Sequence, residues 1–236
     1  RAELALASYR AAVQADPSAL GARWRLLRTL YFRGTFCGAS RATVRVLREE
    51  AKANAEQGVG GLERALGRLR GPARIAALRG HGPDAVALYF WSAVSWGEWA
   101  MVRGPLTGVR AGAASHIRDL AQTVIDLDPA FERGGGYRIL GRLHDRCPRI
   151  PLLTGWVSRV RGIELLERSL AADPANSISR IFLAEALVDH APHRRQEARR
   201  LLQACATSAP RPAYAVEDVH FIEMARARLQ ALDGGR

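Results

Sequence analysis

The chain has 236 residues, 48% hydrophobic and 25% charged, enough to bury a sizeable core without disulfide staples and unlike a disordered sequence. Its formal net charge is +12, with Lys52 the sole lysine among 35 basic residues. The arginines are spread through every segment instead of forming one stripe interleaved with aromatics, which argues against nucleic-acid binding.

That arginine excess reads either as compositional bias on solvated helix faces or as a basic surface facing an acidic protein or anionic lipid. Three scattered cysteines, Cys37, Cys147 and Cys205, form no CxxC and exclude a zinc ribbon or a thioredoxin-type motif.

In chain order every element reads as helix. Alanine, leucine, arginine and glutamate dominate, and no segment sustains period-two alternation with β-branched residues. Pro and Gly breaks predict helices at 2–15, 20–33, 40–57, 61–70, 84–103, 111–127, 136–146, 156–172, 177–190, 194–207 and 216–232. Four breaks share a form: "ALASYRAAVQADP" ends at Pro17, "IRDLAQTVIDLDP" at Pro129, "GIELLERSLAADP" at Pro174 and "EARRLLQACATSAP" at Pro210. Small or apolar residues precede each proline at matching offsets: Ala5, Tyr9 and Ala12 in the first, Ala198, Leu202 and Cys205 in the last.

This is the pattern of the second helix of a tetratricopeptide repeat, in which small residues let paired helices approach and proline ends the unit. Trp24, Leu27 and Tyr31 then have the spacing of a first helix, and Leu183, Ala184 and Leu187 take the corresponding positions after Pro174. The spacing between breaks is uneven, so the expectation is an all-α fold of divergent tetratricopeptide-like hairpins forming an α-solenoid. A single domain over 1–236 is expected, with divergent hairpins in 1–83.

"LYFWSAVSWGEWA" at 88–100 concentrates three of the five tryptophans, Trp91, Trp96 and Trp99. Its uncharged part runs only from Ala85 to Gly97, too short for a membrane span of about 20 residues. A helix apolar almost all round belongs inside the protein, yet an indole N–H needs a partner when buried. The rings are therefore read as a central core helix or as the lining of a ligand groove, with Tyr89, Trp91, Trp96, Glu98 and Trp99 as candidates. Glu98, the one charge there, is expected to pair with an arginine, Arg103 and Arg110 being the nearby ones, because a lone buried carboxylate is costly.

Three stretches together resemble the T-component of TRAP transporters: "ALYFWSAVSWGEWA" at 87–100, "LAQTVIDLDPAFERGGGYRILGRLHDRCP" at 120–148 and "GIELLERSLAADPANSISRIFLAEALV" at 162–188. The similarity spans roughly 84–232. "IPLLTGWVSRVRG" at 150–162 departs from the family's Gly-Asp turn. The resemblance implies a periplasmic accessory protein, lipid-anchored through a segment upstream of Arg1, that associates with the transporter's solute-binding protein. It also implies trimeric assembly, peripheral membrane association and a groove for an apolar or acidic organic ligand.

No stretch forms a catalytic constellation. "RGGGYRILGR" spaces Gly136 and Gly141 as in a phosphate loop, but no strand precedes it and no Lys-Ser/Thr follows. His190 and His193 form HxxH, but Pro192 between them breaks the helix that zinc ligation would need, and GxSxG is absent. The expectation is a non-enzymatic protein without cofactor or metal. It docks a solute-binding protein, with Arg194, Arg195, Arg199 and Arg200 as candidate partner-surface residues. The alternative is a scaffold subunit of an envelope or membrane complex with no ligand.

Overall fold

Three of the proline stops fold identically. Asp16, Asp128 and Asp173 leave their helices in extended conformations, with ψ of 94°, 98° and 94°, as a following proline requires. Each carboxylate then accepts the backbone N–H two residues on, from Ser18, Ala130 and Ala175, at 2.9, 2.9 and 3.0 Å. The aspartate carbonyl accepts a second N–H, three residues on, from Ala19, Phe131 and Asn176 respectively. Proline stops the helix, and the aspartate pairs the N–H groups of the turn that follows.

The computed structural model describes residues 1–234. Among them are twelve α-helices, two short 3-10 turns and no strand. The fold is all-α, with neighbouring helices packed in pairs as in an α-solenoid of tetratricopeptide-like hairpins. Contacts divide the chain into two compact units, Arg1–Phe131 with Leu152–Thr154, and Glu132–Pro151 with the chain from Gly155 onward.

The first unit holds α1 (Ala2–Ala15), α2 (Leu20–Phe36), α3 (Arg41–Leu66), α4 (Gly71–Gly80), α5 (Pro83–Arg103), α6 (Pro105–Arg110) and α7 (Ala113–Leu127). Helix α5 is its centre, packed against α2, α3 and α7. The second unit is a sequential stack of α8 (Gly135–Arg146), α9 (Arg159–Ala172), α10 (Ser177–His190), α11 (Arg195–Ala206) and α12 (Ala215–Gly234).

Three details differ from the sequence expectation. The expected break at 58–60 is absent, and α3 runs unbroken through "GVGG". Gly58 is buried there against the stem of Arg23 and against Leu88, so the glycine serves close approach and not a turn. Residues 71–80 and 105–110, expected as connections, are helical, each with proline in its first turn, where the missing N–H costs nothing. Finally, α1 buries Leu6 and Val13, while Ala5 and Tyr9 are half-buried and Ala12 exposed.

In the second unit the small residues do what their spacing predicts. Ala198, Leu202 and Cys205 are buried together with Leu183, Ala184 and Leu187. Gly141 and Gly162 form the α8–α9 contact: a Cβ on Gly141 would lie 3.0 Å from the Gly162 carbonyl and 2.8 Å from Leu166 Cγ. Gly141 is therefore a packing glycine and not part of a phosphate loop.

Candidate functional site

All four aromatic candidates on α5 are buried, Tyr89 at 1% exposure and Trp91, Trp96 and Trp99 below a tenth. Trp96 packs edge-on to Trp99, with centroids 5.6 Å apart, and stacks on His116 at 4.5 Å. Lys52 on α3 places its ammonium 4.3 Å from the Trp96 ring and 5.1 Å from Trp99, a double cation–π contact. Trp91 contacts Tyr31 and Phe90. The indole N–H groups of Trp91 and Trp99 are buried and have no hydrogen-bond partner among the described residues.

Glu98 pairs with an arginine, but not with Arg103 or Arg110. Its partner is Arg48 on α3, at 2.7 Å, and Arg103 pairs instead with Glu49. The α3–α5 packing brings residues about fifty positions apart into register, which proximity in the chain does not reveal. Arg48 is 3% exposed and also donates to Thr35 Oγ1 at 2.7 Å. Burial raises the Glu98 carboxyl above its ordinary pKa, although Arg48 pulls the other way.

Tyr89 is in a different setting from the tryptophans. Its hydroxyl donates to Glu63, which also receives a bidentate bond from Arg74. Arg74 Nη2 lies 3.2 Å from the Tyr89 hydroxyl and 3.5 Å from Thr123 Oγ1. Burial followed by the Glu63 charge raises the Tyr89 pKa, so the phenol stays protonated and donating. Burial alone would raise Glu63, but Arg74 and Tyr89 bonding to its charged form hold it below the usual range.

Glu63 and Arg74 line an open hollow of about 570 Å³ with Arg64, Gly67 and Arg70. A second hollow, about 430 Å³, shares Arg74 and adds Ile75, Arg79 and Asp126. Sequence reasoning missed this region. The available signal was local arginine density, five arginines against one acid in residues 63–79.

In the second unit the charges form a row along α8, α10 and α12. Arg142 bonds Asp145 at 2.8 Å and Glu185 at 2.7 Å. Arg146 reaches Asp145, Glu185 and Asp189 at 2.9–3.0 Å, and Arg228 reaches Glu185 at 2.6 Å. The Asp145 side chain is fully buried and Glu185 is 10% exposed, whereas Arg146 and Arg228 remain about half exposed. Burial would raise Glu185, but Arg228, Arg142 and Arg146 hold it below the ordinary glutamate range.

Asp145, Asp189 and His190 bring their ligand atoms within 4.8 Å of one another, a donor set of metal type. Both Asp145 oxygens are already engaged, one by His190 at 3.0 Å and the other by Arg142 and Arg146. Two guanidinium groups at that carboxylate oppose a cation, and the cluster fits an ion-pair network. His193 lies in the turn beyond Pro192 and takes no part in it.

The four partner-surface arginines are mostly engaged within the unit. Arg194 bridges Glu167 and Glu197, Arg195 donates to the Leu232 carbonyl, and Arg199 pairs with Asp233. Comparison with protein-family models and with curated proteins gives no match to this chain.

Proposed function

We propose that the chain is a non-enzymatic helical-repeat accessory protein that docks an acidic protein partner through the row on α8, α10 and α12. The observation behind this reading is the layering of charge: carboxylates lie beneath while the guanidinium groups of Arg146 and Arg228 face outward. Arginines fixed by buried acids are preorganised for a second carboxylate, so little ordering entropy opposes docking. Stacked helical pairs supply the extended surface that such docking needs. The sequence resemblance identifies the partner to test first, the solute-binding protein of a TRAP-type transporter in the cell envelope.

The test is a pull-down from the source envelope with wild-type and Arg146→Gln/Arg228→Gln chains, with helical content checked by circular dichroism. The reading expects a solute-binding protein with the wild-type chain and its loss with the folded variant. Recovery of a different membrane assembly favours the second reading, a scaffold subunit without ligand. The dense packing of Trp91, Trp96 and Trp99 supports that second reading.

A further inference from the structure

The 570 Å³ hollow between the end of α3 and the start of α4 has a charge imbalance that the protein does not resolve. Its one carboxylate, Glu63, is saturated by the Tyr89 hydroxyl and the two-pronged bond from Arg74. Arg64, on the same wall, forms no ion pair among the described residues. Among the described residues Arg70 donates to the carbonyls of Gly67 and Leu69, at 3.5 and 2.7 Å, and forms no direct ion pair. Three arginines and one carboxylate line this open space, an excess of two positive charges, with the Arg64 guanidinium lying along α3 beside Gly60 and Gly61.

The space is of ligand size, since small-molecule sites span about 300–1,000 Å³. Its floor is rigid: Arg74 is tied to Glu63, to Thr123 and to the fully buried Tyr89. These bonds engage Nε and Nη2 and leave Nη1 as the donor nitrogen for a phosphate or carboxylate oxygen. The neighbouring hollow continues the basic lining through Arg79, whose guanidinium bonds the Asp126 carbonyl and not its carboxylate.

We infer that this hollow is a binding site for a small oxyanion ligand bearing at least two negative charges, held by Arg64, Arg70 and Arg74. The inference does not depend on the docking row, which lies in the other unit.

Calorimetric titration of the full chain with inorganic phosphate, and separately with citrate, at ionic strength held constant with sodium chloride, tests it. The expected result is saturable one-to-one binding of at least one probe. Phosphate alone identifies a phosphate-bearing ligand, and citrate alone a carboxylate-bearing one. Arg64→Gln/Arg70→Gln should weaken that binding at least tenfold, and Arg64→Gln alone should weaken it by less.

Arg41→Gln/Arg45→Gln removes the same charge from exposed positions elsewhere in the same unit and should leave binding unchanged. No saturable binding of either probe, binding that survives the Arg64/Arg70 change, or equal weakening by the Arg41/Arg45 change would each overturn the inference.

Discussion

Helix α5, at the centre of the first unit, and α8, which opens the stack of the second, are held in opposite ways. α5 buries twelve residues, including Tyr89, Phe90 and three tryptophans, among α2, α3 and α7. α8 buries Gly135, Gly136 and Gly141, approaches α9 backbone to backbone, and puts its charged residues on the α10 and α12 side. Large rings fill space and tolerate irregular neighbours, whereas glycine contacts demand one register. The contrast explains why the repeat spacing is legible in the second unit and blurred in the first.

The largest test of this contrast is Trp96→Ala. Loss of a ring packed on Trp99, His116 and Lys52 should cost about 3–5 kcal/mol, read from the denaturant midpoint. A near-neutral result would mean that the rings line a space and not a core. Gly141→Ala asks the converse of the second unit. One added methyl meets the Gly162 carbonyl and the Leu166 backbone nitrogen, both at 3.0 Å, and should cost about 1–3 kcal/mol. If it stabilised the protein, the close α8–α9 approach would be wrong.

Acid separates the units further. The folded pKa of Glu185 is lowered, so its stabilisation is complete above the unfolded glutamate value and is lost as pH falls through the folded one. The folded pKa of Glu98 is raised, so its contribution is present below the unfolded value and is lost as pH rises through the folded one. Melting curves between about pH 3 and 7 should therefore show a shallower acid loss in Glu185→Gln and a steeper one in Glu98→Gln. At neutral pH Glu185→Gln should cost about 2 kcal/mol, since three arginines lose a charged acceptor. Parallel pH curves for both variants and wild type would refute the assignment.

The smallest effect belongs to the bidentate Arg10–Glu50 pair, whose arginine is 45% exposed. Arg10→Ala should change stability by less than about 1 kcal/mol. A larger loss would show that α1 depends on this pair more than on Leu6 and Val13.

The two ends of the repeat pattern show what the sequence could express. Ala198, Leu202 and Cys205 are buried as their spacing predicts because α11 packs against both α10 and α12. The equivalent Ala5, Tyr9 and Ala12 are not, because α1 packs its backbone against α2, reaches α3 through the Arg10–Glu50 pair, and buries the single stripe through Leu6 and Val13. Of the α5 candidates, the three tryptophans were recognisable as interior from their surroundings. The role of Tyr89 beneath the arginine hollow depends on Glu63 and Arg74, which lie in other helices and carry no motif.

Helical character, the Asp-Pro stops and the burial of the aromatic stretch were determined by the sequence itself, because each rests on propensity, turn chemistry or periodicity within a dozen residues. Only the tertiary structure decided that Glu98 meets Arg48, that Arg146 and Arg228 cover Glu185, and that Arg64, Arg70 and Arg74 surround one space. Charges pair across helices whose register is set by how rings and glycines pack. That register depends on the whole of each unit.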